Sequence, residues 1–233
     1  MNFKQRDKQR DKKPGKGTDT ITRNIVIGMV LLVVLAGAGA ALANYRTNNS
    51  TAIPTLANKA VGGGIEFNSS APVRLDMWED FQCPSCKAFE SANNAYINSL
   101  VKAGKIHAVY HPMSFIGPES ALEARAAGCA ADEGKFLEYH TALYANQGTE
   151  NSGIWSPEIL TVIGKGLGIK SKSFENCVSS KKYDNWVRNI EVDASKNNVN
   201  STPTVLLNGK QMDPSTHRDN AKSKAALVAG RLK

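Results

Sequence analysis

The chain has 233 residues, 41% hydrophobic and 21% charged, which suits one domain with a substantial core plus appendages. Its net charge of +8 is local: eight basic residues against three acids before Ile25 give that arm +5 and leave +3 for the rest. No basic patch with interleaved aromatics follows the arm, so nucleic-acid binding is excluded.

Residues 1–24 are polar, Lys/Arg-rich and broken by Pro14-Gly15-Lys16-Gly17, the composition of a disordered tail. Residues 25–43 carry no charge. As a helix they span roughly 28 Å, close to the hydrocarbon thickness of a bilayer. A membrane helix is expected from about residue 24 to 45, with the anchor proper at 25–44. The basic arm then stays in the cytoplasm and everything after Tyr45 lies outside. A cleaved signal peptide competes, since Ala41-Leu42-Ala43 has the form of a cleavage site. The apolar run exceeds the roughly 7–15 residues of a usual signal core, which favours an uncleaved anchor. No cysteine follows closely enough for a lipid-modified N-terminus. Residues 45–64, rich in Asn, Thr, Ala and Gly, read as a flexible tether.

The folded domain is expected over 65–233. Residues 73–81 form an apolar-rich run ending at Cys83-Pro84-Ser85-Cys86, and residues 87–101 have helical character. Residues 105–111 alternate as a strand does, and Pro112 stops them. A helical region follows. Phe136, Leu137, His140, Leu143 and Tyr144 fall at helical spacing. Ser156-Pro157 gives an N-cap with proline at the first helical position, with Ile159, Leu160, Ile163 and Leu167 as the buried face. Tyr183, Trp186, Val187, Ile190 and Ala194 make another stripe. Thr204 to Leu207, Asn208-Gly209 and Lys210 to Met212 read as a hairpin with a type I′ turn, and a helix over about 218–231 closes the chain. The order predicts an α/β thioredoxin-type scaffold with a helical insertion at about 115–198 between its halves, preceded by one transmembrane helix.

The chemistry centres on Cys83 and Cys86. Two cysteines separated by two residues at a strand-to-helix junction suit reversible disulfide exchange, although half of a zinc site has the same spacing. At a helix start, unpaired N–H groups and the helix dipole stabilise the Cys83 thiolate. Cys83 is therefore the attacking sulfur and Cys86 the more buried resolving one. Thr202-Pro203 precedes the hairpin. A proline opening a strand is unremarkable, because its missing N–H costs little there. Together with the upstream cysteine pair it points instead to a cis proline that packs on the sulfurs and offers the Thr202 backbone to an extended peptide. Cys129 and Cys177 suit three readings: free buried thiols, a disulfide, or half of a four-cysteine zinc site. His107 and His111 sit four apart in strand-like sequence, roughly 13 Å from each other, so the histidines form no metal pattern.

Three motifs in order, Asp80-Phe81-Gln82-Cys83-Pro84-Ser85-Cys86-Lys87, the stretch from Gly128-Cys129 to Lys135-Phe136, and Ser201-Thr202-Pro203-Thr204, resemble the DsbA-like thiol:disulfide oxidoreductases of bacteria. The likeness covers about residues 65–233 and is closest to membrane-anchored, actinobacterial-type members. It implies a thioredoxin fold with a helical insertion and no metal or other cofactor. It also implies dithiol oxidase activity on unfolded or extended secreted proteins and a membrane-bound, quinone-reducing reoxidase. The expected location is the bacterial plasma membrane, single-pass, with the redox domain extracytoplasmic, and the lack of an evident dimerisation segment argues for a monomer. The resemblance favours a structural Cys129–Cys177 disulfide, whose 48-residue loop contributes about 4 kcal/mol. One departure stands out. Many relatives place a buried acid six residues before the first cysteine, where this chain has Met77. Asp76 lies on the opposite face of a regular strand and is usable only through a bulge, while Glu79 and Asp80 are nearer to Cys83. The competing functions are an extracytoplasmic reductase or isomerase and a tethered, chaperone-like peptide-binding module.

Overall fold

The computed structural model describes residues 16–48, 52–59, 63–213 and 219–231. The chain divides into two units between residues 46 and 47. The first is α1 (Lys16–Asn48), whose stretch Thr22–Ala43 has a mean hydropathy of 2.7 and exposes its apolar side chains throughout. The expected tail and tether are both shortened by this helix, which begins at Lys16 and ends at Asn48. Once an apolar segment nucleates a helix, each flanking residue adds with one hydrogen bond and little further entropy, so polar neighbours are drawn in. The first fifteen residues of the arm lie outside those described.

In the second unit, β1 (Ile65–Phe67), β2 (Arg74–Asp80), β3 (His107–Met113), β4 (Thr204–Leu207) and β5 (Lys210–Gln211) form one sheet ordered β1-β3-β2-β4-β5. β2 pairs with β3 in parallel and with β4 antiparallel. Helix α2 (Pro84–Lys102) follows β2 directly. The helices α3 (Pro118–Asp132), α4 (Phe136–Ala145), α5 (Pro157–Gly166), α6 (Lys172–Ser179) and α7 (Asp184–Lys196) lie between β3 and β4, and α8 (Asn220–Arg231) ends the described chain. β2 is central and covered on both sides: all of its residues after Arg74 are buried. Fully buried aromatics such as Phe81, Phe89, Phe136, Tyr139 and Trp186 supply the core, each worth roughly 1.5–3 kcal/mol of burial. Asn208 and Gly209 both have positive φ, 50° and 76°, which gives the hairpin its type I′ turn.

Three local expectations change. Pro112 does not stop β3, which runs on to Met113 beside Asp80. β1 begins at Ile65 opposite Tyr110, so beyond Tyr110 one side of β3 is an edge that has no use for the missing N–H. Ile159 is not on the buried face of α5 and stays 46% exposed. Leu160 faces inward as expected and Gly164 joins it, with Phe174 of α6 resting where a Gly164 side chain would stand. The tether also fails to stay free at residues 52–59. Pro54 and Ala57 are buried, Ala57 bridges Ile65, and the Thr55 amide and hydroxyl both donate to Asp132 of α3.

Candidate active site

The end of β2 delivers Phe81-Gln82-Cys83 to the start of α2. Cys83 is the N-cap in extended conformation, and Pro84 takes the first helical position, where a missing N–H is harmless. The turn is fastened from several sides. The Cys83 amide donates to the Asp80 carbonyl, and the Asp80 carboxylate accepts from the Gln82 and Ile116 amides. Gln147, just past α4, donates its side-chain amide to the carbonyls of both Phe81 and Cys83. Sequence reasoning passed over Gln147; no local pattern ties a residue 64 positions away to the cysteine turn.

Cys83 and Cys86 are both free thiols here, Cys83 8% exposed and Cys86 fully buried. The Thr202–Pro203 peptide bond is cis, and the Cys83 thiol lies 3.5 Å from the Thr202 carbonyl oxygen, onto which it donates. Four residues separated by more than a hundred positions thus meet at one place. The sulfurs differ sharply. A hydrogen bond from the Cys86 thiol, helped by the Thr202 side chain and the backbone amides of Cys86 and Ser85, lowers the Cys83 pKa to about 6 against the cost of burial. Burial pushes Cys86 well above the ordinary thiol value, with its bond to Cys83 and the nearby Glu79 adding to the shift. Cys83 therefore ionises at far lower pH than Cys86, which holds its proton.

The candidate acids separate by strand parity. β2 keeps continuous register with β3 from Arg74 to Asp80, so no bulge re-aims Asp76. Asp76 is engaged by Arg74 at 2.7 Å and His111 at 3.2 Å on the far face. Burial opposes its charge, yet those two partners hold its carboxyl below the usual range. Asp80 is spent on fastening the turn. Glu79 shares the face of Met77, and its charge and those of the two sulfurs act on one another. Burial raises its pKa to about 8, and the Cys83 charge adds to the rise.

Glu79 has two companions that the sequence reading had left aside. Glu90 lies one turn beyond Cys86 on α2, and burial together with the charge of Glu79 raises its pKa to about 8 as well. His140 of α4 stands between the two acids, its Nε2 3.7 Å from Glu79 and its Nδ1 3.6 Å from Glu90. Burial lowers the His140 pKa and keeps the ring neutral. Donor atoms of the three come within 4.8 Å of one another. Each ring nitrogen faces a different carboxyl, and the two carboxyls also interact with each other directly, a hydrogen bond between them contributing to both their shifts. The signal for Glu90 was its spacing of four from Cys86 on a helix, which places both on one face. Away from this site, Cys129 of α3 and Cys177 of α6 are joined by a disulfide, with Cα atoms 5.8 Å apart.

Comparison with known proteins bears on the same region. The family described as thioredoxin matches residues 67–224. A Na(+)/H(+) antiporter NhaA 1 of Mycobacterium sp. (strain KMS) is 30% identical over 174 residues, 72% of this chain. The chain spans about a quarter of the length of such antiporters, 26%. A match over 72% of the chain necessarily runs through the domain that carries the cysteines. A probable disulfide bond formation protein D of Bacillus anthracis is 28% identical over 151 residues, covering 62% of this chain and 69% of that protein. The structure of MdbA, a thiol-disulfide oxidoreductase from Actinomyces oris, superposes with a TM-score of 0.67 over 79% of this chain and 94% of the other, at 22% identity. That last likeness is one of fold.

Proposed function

The chain belongs to the thioredoxin family, and from that premise we propose that it is an extracytoplasmic thiol:disulfide oxidase of the DsbA type, acting through Cys83 and Cys86. The observation that carries this reading is the asymmetry of the two sulfurs at the start of α2. In the oxidised state a substrate thiolate attacks Cys83 Sγ and the bond to Cys86 breaks, leaving a mixed disulfide and a protonated Cys86. The substrate's second thiolate then attacks its own sulfur in the mixed disulfide. Cys83 leaves as a thiolate, and the substrate has lost two electrons to the cysteine pair. A sulfur with a pKa of about 6 is a good leaving group in that second step. The Thr202 backbone, beside Cys83, is placed to pair with an extended substrate chain. Reoxidation requires a partner, and a membrane-bound, quinone-reducing protein fits a domain tethered by residues 25–44. The cysteine chemistry itself calls for no cofactor. The basic arm ahead of Ile25 favours retention of that arm in the cytoplasm and exposure of the domain outside the plasma membrane.

Moving one thiol from 9 to about 6 stabilises the reduced form about tenfold at pH 7, which is about 30 mV for a two-electron couple. Thioredoxin's own reactive thiol titrates near 7, so the expected equilibrium potential, measured against glutathione, lies on the order of 20 mV above its roughly −270 mV. A value at or below that figure would support the reductase reading. Cys83→Ser should abolish disulfide formation in a reduced client; a variant that still promotes client folding as well as the parent would support the peptide-binding module.

A further inference from the structure

The helical insertion holds the cysteine turn residue by residue. The Tyr144 hydroxyl of α4 donates to the Asp80 carbonyl at 3.3 Å. Gln147 points its carboxamide nitrogen at the Phe81 carbonyl, 2.6 Å away, and at the Cys83 carbonyl, 3.0 Å away. Both partners are carbonyl oxygens, so only the nitrogen end of that amide can face them. Gln82 is gripped as well. Its carboxamide donates to Ser120 of α3 at 2.8 Å and accepts from the Asn151 amide at 2.6 Å. Gln147 is itself anchored: its amide donates to the Tyr144 carbonyl, and its carbonyl accepts from Lys87 Nζ of α2 at 3.2 Å. Asn151 also donates its side-chain amide to the Ile116 carbonyl. Joining α4 to α5 requires none of these bonds.

We propose that Gln147 is a positioning residue through which the helical insertion sets how readily Cys83 leaves as a thiolate. The inference rests on the oxidase reading above. In that reaction the substrate's second thiolate attacks its own sulfur in the mixed disulfide. A new S–S bond forms within the substrate, the old one breaks, and its electron pair stays on Cys83 Sγ. The negative charge that develops there is stabilised or opposed by whatever faces it.

Full charges contribute little to that balance. Burial keeps Glu79 and Cys86 protonated at pH 7, the Asp80 carboxylate is taken up by the Gln82 and Ile116 amides, and Lys87 is drawn to the Gln147 carbonyl. The field at the sulfur is therefore made mainly by oriented dipoles, among them the amides of Ser85 and Cys86 at the start of α2. The carbonyls of Phe81 and Cys83 present the opposite sign in the same turn. Gln147 covers both with donors. That offsets part of their negative potential and fixes the peptide units on either side of the Gln82–Cys83 bond, which keeps the helix amides aimed at Sγ.

The test uses the full chain in detergent with two substitutions. Gln147→Met keeps the length and loses both donors; Gln147→Lys keeps a donor and adds a positive charge. Cys83 is titrated by its thiolate absorbance, and the redox equilibrium is measured against glutathione at pH 7. Gln147→Met should lower the acid dissociation constant of Cys83 on the order of fivefold, lifting its midpoint from about 6. The equilibrium constant for oxidising glutathione should fall about fourfold, which is about 18 mV. Gln147→Lys should restore the wild-type midpoint or take it lower. A side chain that only fills space would move both variants alike. In the unaltered chain, the nitrogen-15 signal of the Gln147 carboxamide should shift as Cys83 titrates. Two unchanged midpoints, or two raised alike, overturn the proposal. Should a variant lose its near-ultraviolet dichroism, a carboxamide signal that stays fixed through the wild-type titration overturns it alone. Neither measurement requires client or reoxidase, so Gln147 is read independently of the parent function. Failure of the wild-type chain to oxidise a reduced dithiol peptide would overturn the oxidase reading instead.

Discussion

Glu123 of α3 is fully buried, and neither of its carboxyl oxygens has a hydrogen-bond partner. Burial, with the charges of Asp80 and Glu119 behind it, pushes its pKa up to about 9. An unfolded glutamate titrates near 4.3, so between these values the native state binds the extra proton. Stability is then fully present below about pH 4 and falls as pH rises toward 9. Glu123→Leu removes that slope. Denaturant melts should show little difference from the parent at pH 4.5 and a gain of about 2–4 kcal/mol at pH 8; parallel curves across that range would reject the assignment. Single-residue chemistry was only partly readable in the sequence. Strand parity made Asp76 usable only through a bulge and left Glu79 and Asp80 undecided. Nearness in sequence kept Asp80 in the set, although its carboxylate caps the cysteine turn. Nothing local marks Glu123 or His140, whose environment is made by helices that meet only in the folded chain.

At the scale of elements, periodicity carried most of the information. The stripe from Tyr183 to Ala194 is buried along α7, and Ser156 caps α5 by accepting from the Ile159 amide. Reading failed where a neighbour decided the face, as on α5, where Phe174 against Gly164 turned Ile159 outward. The linkage of α3 to α6 by Cys129 and Cys177 was one of three open possibilities until a family resemblance favoured it. Its sequence separation is 48 residues, and Cys129 is buried in the core. Replacing both by alanine should lower stability by about 2–5 kcal/mol. The pair lies outside the cysteine turn, so the Cys83 titration midpoint should remain near 6. A folded double variant whose Cys83 midpoint has moved by a full unit would show that the link shapes the reactive turn.

Over the whole molecule, charge and hydropathy along the chain frame a membrane topology. α1 has 22 residues, Thr22–Ala43, in its apolar span, and at about 1.5 Å per residue these reach about 33 Å, enough for the hydrocarbon core. The basic arm precedes that span, and the segment at 52–59 is bound to the redox domain by Thr55 and Ala57 rather than hanging free. With the arm inside, protease added to cells with an accessible outer face should degrade the redox domain and leave a small protected fragment that contains α1. The membrane-bound product should begin ahead of residue 25 when its N-terminus is sequenced. A product starting at Asn44 would establish cleavage after Ala41-Leu42-Ala43 and release the domain from its anchor. Protection of the whole chain until lysis would reverse the orientation, and it would separate the cysteine pair from the secreted clients on which the oxidase reading depends.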